Sequence, residues 1–224
     1  MIGSVKVKIC GQTSLADAAL SIEAGADFIG VVIEVASSPR SLEADAAEPI
    51  FQAHGRRTFL LTCDMPQDRL EETAMRLDPY ALQLTGDETP EYVAAIKDSL
   101  GGLVFKSIHL PPAGEGSADP EAILAAMASY AQAGADGFVL DTATGGLQGG
   151  TGVKSDWTLA AAITAKAPAP VFIAGGINPQ NAAQAAALPG IYGIDLASGV
   201  ESSKGVKSAE KLGELFAALR NHGG

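Results

Sequence analysis

The sequence predicts an α/β chain folded as a single (β/α)8 barrel, a TIM barrel spanning residues 1–224, and three observations carry that prediction. Eight apolar runs alternate with eight helical segments and no linker separates them, as a closed ring of strand–helix units requires. The runs, such as Phe28 to Ile33, are apolar throughout, which is the pattern of parallel strands covered on both faces. Ala24-Gly25-Ala26-Asp27 also returns as Ala133-Gly134-Ala135-Asp136, nearly half the chain and four units later, as two half-barrels would give. Glycine after a helix is a common cap, so the repeat supports the first two observations and does not stand alone.

The elements follow in order. Val5 to Cys10 reads as strand, Ser14 to Ala24 as helix and Phe28 to Ile33 as strand. Ser41 to His54 is the least regular helical segment, because Pro49 either kinks it or starts a shorter helix. Arg57 to Thr62, Tyr80 to Leu84 and Leu103 to Ser107 are the next strands, separated by helices over Gln67 to Leu77 and Glu91 to Leu100. A helix over Glu121 to Ala133 leads to the strand Gly137 to Asp141, and a helix over Trp157 to Lys166 leads to Val171 to Ala174. Gln180 to Leu188, Tyr192 to Leu196 and Ser208 to Leu219 complete the ring as helix, strand and helix. Thr89-Pro90-Glu91, Asp119-Pro120-Glu121 and Asn178-Pro179-Gln180 each set a capping residue before a proline at the first helical position.

Composition narrows the function. With 47% hydrophobic and 18% charged residues the chain can bury a large core, and no apolar run approaches the roughly 20 residues that cross a bilayer. The start lacks the apolar core of a secretory signal, so a cytoplasmic protein without a membrane partner is expected. A net charge of −11 and the lack of a lysine or arginine block argue against nucleic acid. The two cysteines, Cys10 and Cys63, sit on separate strands with no zinc-type spacing, so neither a disulfide nor a metal nor another cofactor is expected.

In this fold ligands bind at the C-terminal strand ends. There the sequence collects Cys10-Gly11, Ser38-Pro39-Arg40, Cys63-Asp64, Thr85-Gly86, His109, Asp141-Thr142, Gly175-Gly176 and Ser198-Gly199. The paired glycine turns after strands 7 and 8 place backbone N–H groups where such barrels hold phosphate, which needs no net positive charge. Gly145 to Gly152 with Lys154-Ser155 suggests a nucleotide-binding loop but fails the spacing, since Val153 precedes the lysine; a loop over the barrel mouth fits better. From residue type alone, the ordinary readings outweigh the functional ones: Cys10 as a small buried apolar residue, Asp141 as a helix cap and Arg40 as a solvated loop charge. His54, His109 and His222 are scattered and take no catalytic role.

These pieces together resemble the phosphoribosylanthranilate isomerase family over nearly the whole chain. The resemblance rests on Val7-Lys8-Ile9-Cys10-Gly11 with Thr13, Gly25-Ala26-Asp27 with Gly30, Ser38-Pro39-Arg40, and Gln83-Leu84 with Gly86 and Glu88. It continues through Leu140-Asp141-Thr142, Gly149-Gly150-Thr151-Gly152 with Asp156-Trp157, Ala174 to Pro179, and Asp195 with Ser198-Gly199-Val200-Glu201, Gly205 and Lys207. It implies an Amadori rearrangement of a small sugar-phosphate substrate, N-(5-phosphoribosyl)anthranilate, to 1-(2-carboxyphenylamino)-1-deoxyribulose 5-phosphate. It also implies Asp141 as the acid that opens the ring, Cys10 as the thiolate base at C2, and Arg40 on the anthranilate carboxylate. Gly175, Gly176, Ser198 and Gly199 would hold the phosphate, in a monomer or a homodimer.

Cysteine is mostly thiol at neutral pH, so cationic or dipolar neighbours are expected around Cys10, and burial or a nearby anion around Asp141. The chain departs from the family on strands 2 to 4: Thr85 stands where histidine is usual, Thr62-Cys63 replaces the usual strand-3 end, and Glu34 adds a charge. These changes leave two other readings open, a related isomerase with a different aglycone and a phosphate-binding barrel without catalysis.

Overall fold

A computed structural model of the chain describes residues 5–110, 119–142 and 157–222. The glycine-rich Gly145 to Gly152 stretch and Lys154-Ser155 lie outside the described residues.

Eight parallel strands form a closed barrel: β1 (Lys6–Ile9), β2 (Phe28–Ile33), β3 (Thr58–Thr62), β4 (Ala81–Leu84), β5 (Leu103–Leu110), β6 (Gly137–Thr142), β7 (Val171–Ile173) and β8 (Gly193–Leu196). Each pairs with its sequence neighbour from β2 through β8, and β1 closes the ring between β8 and β2 through the registers Lys8↔Asp195 and Lys8↔Phe28. The helices between them are α1 (Leu15–Ala24), α2 (Ala44–His54), α3 (Gln67–Leu77), α4 (Pro90–Leu100), α5 (Pro120–Gln132), α6 (Trp157–Thr164), α7 (Ala182–Ala186) and α8 (Ala209–His222).

Local chemistry sets the helix starts. The Ser14 hydroxyl accepts from Asp17 N at 3.1 Å, Thr89 from Tyr92 N and Asp119 from Glu121 N, so each satisfies a donor that the first helical turn leaves open. Asn178-Pro179-Gln180 behaves differently. Its Asn178 side chain accepts from Gln180 N at 2.9 Å and its own N–H donates to Asn181, which closes a turn, and α7 begins only at Ala182. Pro49 is accommodated inside α2, while Ser41–Leu42 splits off as a short strand alongside β2.

The Ala-Gly-Ala-Asp repeat is structural. Asp27 takes the backbone N–H of Val7 at 2.9 Å and the Lys6 ammonium at 2.8 Å. Asp136 does the same with Val104 N at 2.7 Å and Lys97 at 2.8 Å. In each half of the barrel, a carboxylate entering one strand ties down the first residues of the preceding strand. Gly25 and Gly134 turn the chain into these positions at φ 123° and 102°.

Two apolar layers result. Outward-facing residues such as Val7, Ile9, Ile29 and Ile194 pack under the helices. Inside the barrel, Phe28, Phe59, Phe105 and Phe172 fill the N-terminal end with rings 5.1 to 6.2 Å apart. Gly137 and Gly193 make room for them, since a Cβ there would lie 2.3 Å from the Phe105 ring and 2.4 Å from that of Phe172.

Candidate active site

Side chains alternate along a strand, so on β1 the residues sharing Cys10's parity, Lys6 and Lys8, face the interior while Val7 and Ile9 face the helices. At the C-terminal end this interior is polar and encloses a cavity of about 170 Å³. Cys10, Asp141, Gly175, Gly176 and Ser198 line it, together with Gln83, Thr85, Ser107, His109 and Asp195. A larger concavity of about 660 Å³ opens at the opposite end, around Gly55 to Arg57 and Leu77-Asp78, and none of the sequence-predicted site residues reaches it. The mouth cavity is the candidate site because the strand ends converge there.

Cys10 is half-buried, its N–H donating to Leu196 O at 2.7 Å and its carbonyl accepting from Lys207 at 2.6 Å. Burial pushes its thiol above the ordinary range; Lys8 and Lys207 pull it back but do not outweigh the burial, and Asp195 adds to the rise. The cationic neighbours expected from the sequence are therefore present, yet dehydration sets the net direction.

Lys8 is fully buried, with its ammonium 2.7 Å from Asp195 Oδ2 and beside the Cys10 thiol where both border Gly30. Burial opposes its charge, but Asp195 and Cys10 prevail and hold it protonated. Neither Lys8 nor Asp195 has a role assigned by motif alone. The legible signal is parity, since a lysine two residues before Cys10 in an apolar strand must share its inward face.

Arg40 sits beneath Gly11 and outside the cavity lining. Its Nε and Nη2 each lie 2.7 Å from the two carboxylate oxygens of Glu201, which also accepts from Lys207 at 2.9 Å. Gly11, at φ 74°, permits this crossing, because a Cβ there would meet Arg40 Cδ at 2.4 Å. Gly199 is also outside the lining and is pressed against the loop after β7, where a Cβ would lie 2.0 Å from Ile177 O. Gly175 and Gly176 both have positive φ, 93° and 65°, and turn that loop around the cavity edge, next to the 3-10 turn Ser198–Val200.

The side of the mouth formed by β2 to β5 is organised by hydrogen bonds between loops. β5 runs to Leu110, beyond the predicted Ser107, so that His109 is a register neighbour of Asp141 and places Nε2 2.9 Å from Thr85 O. Thr85 in turn donates its hydroxyl to Thr62 O at 2.7 Å. Glu34 turns to Arg69 on α3, which holds both its oxygens. Cys63 is a free thiol beside Asp64, as Cys10 is free beside Lys8. Among the described residues no three His, Cys, Asp or Glu side chains are placed to hold a metal, and no helix is long and apolar enough to cross a membrane.

Comparison with known proteins bears on this geometry. Residues 7–218 match the family model for N-(5'phosphoribosyl)anthranilate (PRA) isomerase. A relative from Methanopyrus kandleri named N-(5'-phosphoribosyl)anthranilate isomerase is 35% identical over 223 residues, covering 97% of this chain and 99% of that protein. One of the same name from Pseudomonas fluorescens is 35% identical and spans 100% of this chain and 99% of its own. The solved phosphoribosyl anthranilate isomerase of Thermus thermophilus superposes with a TM-score of 0.79 at 34% identity, over 97% of this chain and 99% of that one.

Proposed function

The chain belongs to the N-(5'-phosphoribosyl)anthranilate isomerase family, and from that premise we propose how its residues carry out the Amadori rearrangement of an aldose–ketose isomerase. The observation that carries the assignment is the meeting of Cys10, at the end of β1, with Asp141, on β6, at one mouth cavity. Asp141 donates a proton to the furanose ring oxygen of N-(5-phosphoribosyl)anthranilate, the C1–O bond breaks, and a Schiff base forms. Cys10 as thiolate then removes the proton from C2, leaving an enolamine that tautomerises to the 1-amino-1-deoxyketose.

Gly175, Gly176, Ser198 and Gly199 supply the turns that receive the phosphate, supported by the positive φ of the two glycines and the 3-10 turn packed beside them. For Arg40 the geometry supports a role shared with Glu201: its fork is engaged by that carboxylate, so contact with the anthranilate carboxylate needs a further guanidinium donor or an exchange of partners. The protein works in the cytoplasm as a monomer or a homodimer on this small sugar phosphate, without a cofactor. The test is turnover of phosphoribosylanthranilate generated in situ. Formation of the ketose by the parent protein and its loss in Cys10→Ser supports the assignment, and a folded parent protein without turnover overturns it.

A further inference from the structure

We propose that Lys8, held in place by Asp195 and admitted by the missing side chain of Gly30, is the positioning residue that makes Cys10 usable as a base. The inference rests on Cys10 acting as the base and adds the group that governs it. A lysine with 0% exposure inside a barrel is costly, since removing an ammonium from water takes several kcal/mol unless an anion and good hydrogen bonds compensate. Here the compensation is Asp195 at 2.7 Å on the neighbouring strand, placed by the Lys8↔Asp195 register.

The pair uses its charges in an unequal way. Asp195 commits Oδ2 to Lys8, while its Oδ1 is buried with no hydrogen-bond partner among the described residues, and Asp195 lines the mouth cavity. The Lys8 ammonium also stands beside the Cys10 sulfur, both bordering the space left by Gly30. An ion pair serving only to hold β1 to β8 has no need to stand against the reactive sulfur.

Gly30 supplies the independent geometric sign. A Cβ on Gly30 would lie 3.0 Å from Cys10 Sγ and 3.2 Å from Lys8 Nζ, and thus tight against both groups. The glycine on β2 leaves the space in which ammonium and thiol approach each other. The other charges facing Cys10 are Lys207 in the hairpin after β8, which also touches its carbonyl, and Arg40 and Glu201 behind Gly11; Asp141 lines the cavity on β6. Lys207 is itself engaged with Glu201 at 2.9 Å, whereas Lys8 stands beside the thiol at Gly30.

The experiment measures the thiol directly, without relying on turnover. In a Cys63→Ser background, alkylation of Cys10 by iodoacetamide is followed as a function of pH, and the midpoint reports where thiolate forms. Lys8→Met is expected to move that midpoint up by about one unit or more, which is at least tenfold less thiolate at a fixed pH below it. Lys8→Met/Asp195→Asn removes both charges together and is the variant to measure where Lys8→Met alone does not fold, with the same upward direction expected. Gly30→Ala keeps both charges but presses a methyl against both groups and is expected to shift the midpoint in the same sense by less. The acidic limb of kcat/KM should move in parallel with the alkylation midpoint.

Unchanged midpoints in the folded Lys8 and Gly30 variants overturn the proposal. Isomerase activity surviving Cys10→Ser overturns the base assignment instead, and the alkylation result still decides whether Lys8 controls the thiol.

Discussion

The two ends of the barrel interior are built from the same strands with opposite chemistry. On β5, Phe105 joins the aromatic layer while Ser107 and His109, two and four residues on, line the mouth cavity. On β8, Gly193 yields space to the Phe172 ring and Asp195 faces Lys8. Along β4 the change is from Ala81 to Gln83. Alternation brings every second residue inside, and the residue type then decides whether that level is packing or chemistry. The lower level gains its stability from ring contacts. The upper level buries Lys8, Gln83, Ser107 and Asp195, and each of these must be hydrogen-bonded or placed against a reacting group.

The sharpest way to break this division is at the acid and base. Cys10→Ser and Asp141→Asn are each expected to lower kcat/KM by about 10²- to 10⁴-fold while leaving the melting temperature close to the parent value. The parent should show a bell-shaped pH profile. Its acidic limb belongs to Cys10, is displaced upward because burial raises the thiol, and vanishes in Cys10→Ser; the basic limb belongs to Asp141. A profile that stays flat from pH 5 to 9 counts against paired acid–base work.

The converse substitution is Phe172→Ala. Its ring is fully buried and touches Phe28, Phe59, Phe105 and Tyr192, so removal is expected to cost about 3–5 kcal/mol of unfolding free energy. Urea denaturation measures the loss, and kinetics at a temperature where the variant stays folded should give kcat within a few-fold of the parent. A large fall in kcat with little loss of stability would show that the lower level takes part in positioning the site.

How far these regions were legible in the sequence follows from the range of the interactions. Strand parity and capping are local, and the eight units, the Ala-Gly-Ala-Asp repeat and the convergence of Cys10 with Asp141 can be read from spacing on a closed ring; that the repeat's Asp27 and Asp136 clamp the preceding strand appears only in the structure. Arg40 with Glu201 and Lys8 with Asp195 are separated by most of the chain, and their pairing depends on the register by which β1 joins β8 and on the hairpin of residues 201–207. Thr85 illustrates the same limit. Its replacement of a usual histidine is visible in the sequence, but the approach of His109 from the next strand appears only once β5 is seen to continue to Leu110.

The Arg40–Glu201–Lys207 cluster lies just behind the site and tests whether the upper level also carries stability. Burial raises the Glu201 carboxyl, but hydrogen bonds from Arg40 and Lys207 outweigh this and leave it below the usual carboxylate value. Its contribution is therefore present above its unfolded-state pKa and lost as pH falls through its lower folded value. Glu201→Gln should remove that acid sensitivity and, by leaving two buried cations without their anion, destabilise the fold by about 3–5 kcal/mol. Thermal melts of parent and variant between pH 3 and 7 measure both effects. Parallel curves would mean that Glu201 contributes no pH dependence.

The smallest expected effect probes the seam between the two levels. Phe59 belongs to the aromatic layer, yet its ring centroid is 5.3 Å from Lys8 Nζ, so its face stabilises the buried ammonium from below. Phe59→Leu keeps an apolar side chain of similar bulk and removes that face. A stability loss near 1.5 kcal/mol or less is expected. Lys8 should lose about 0.5–1 kcal/mol of support for its charge, equivalent to a shift below about one pH unit. Because Asp195 remains in place, Lys8 stays protonated, and the Cys10 alkylation midpoint should rise by only a few tenths of a unit, well short of the rise in Lys8→Met. If Phe59→Leu moved the midpoint as far as Lys8→Met does, the aromatic layer would be part of the machinery that sets the thiol. If it moved stability alone, the boundary between packing and chemistry would lie between the Phe59 ring and the Lys8 ammonium.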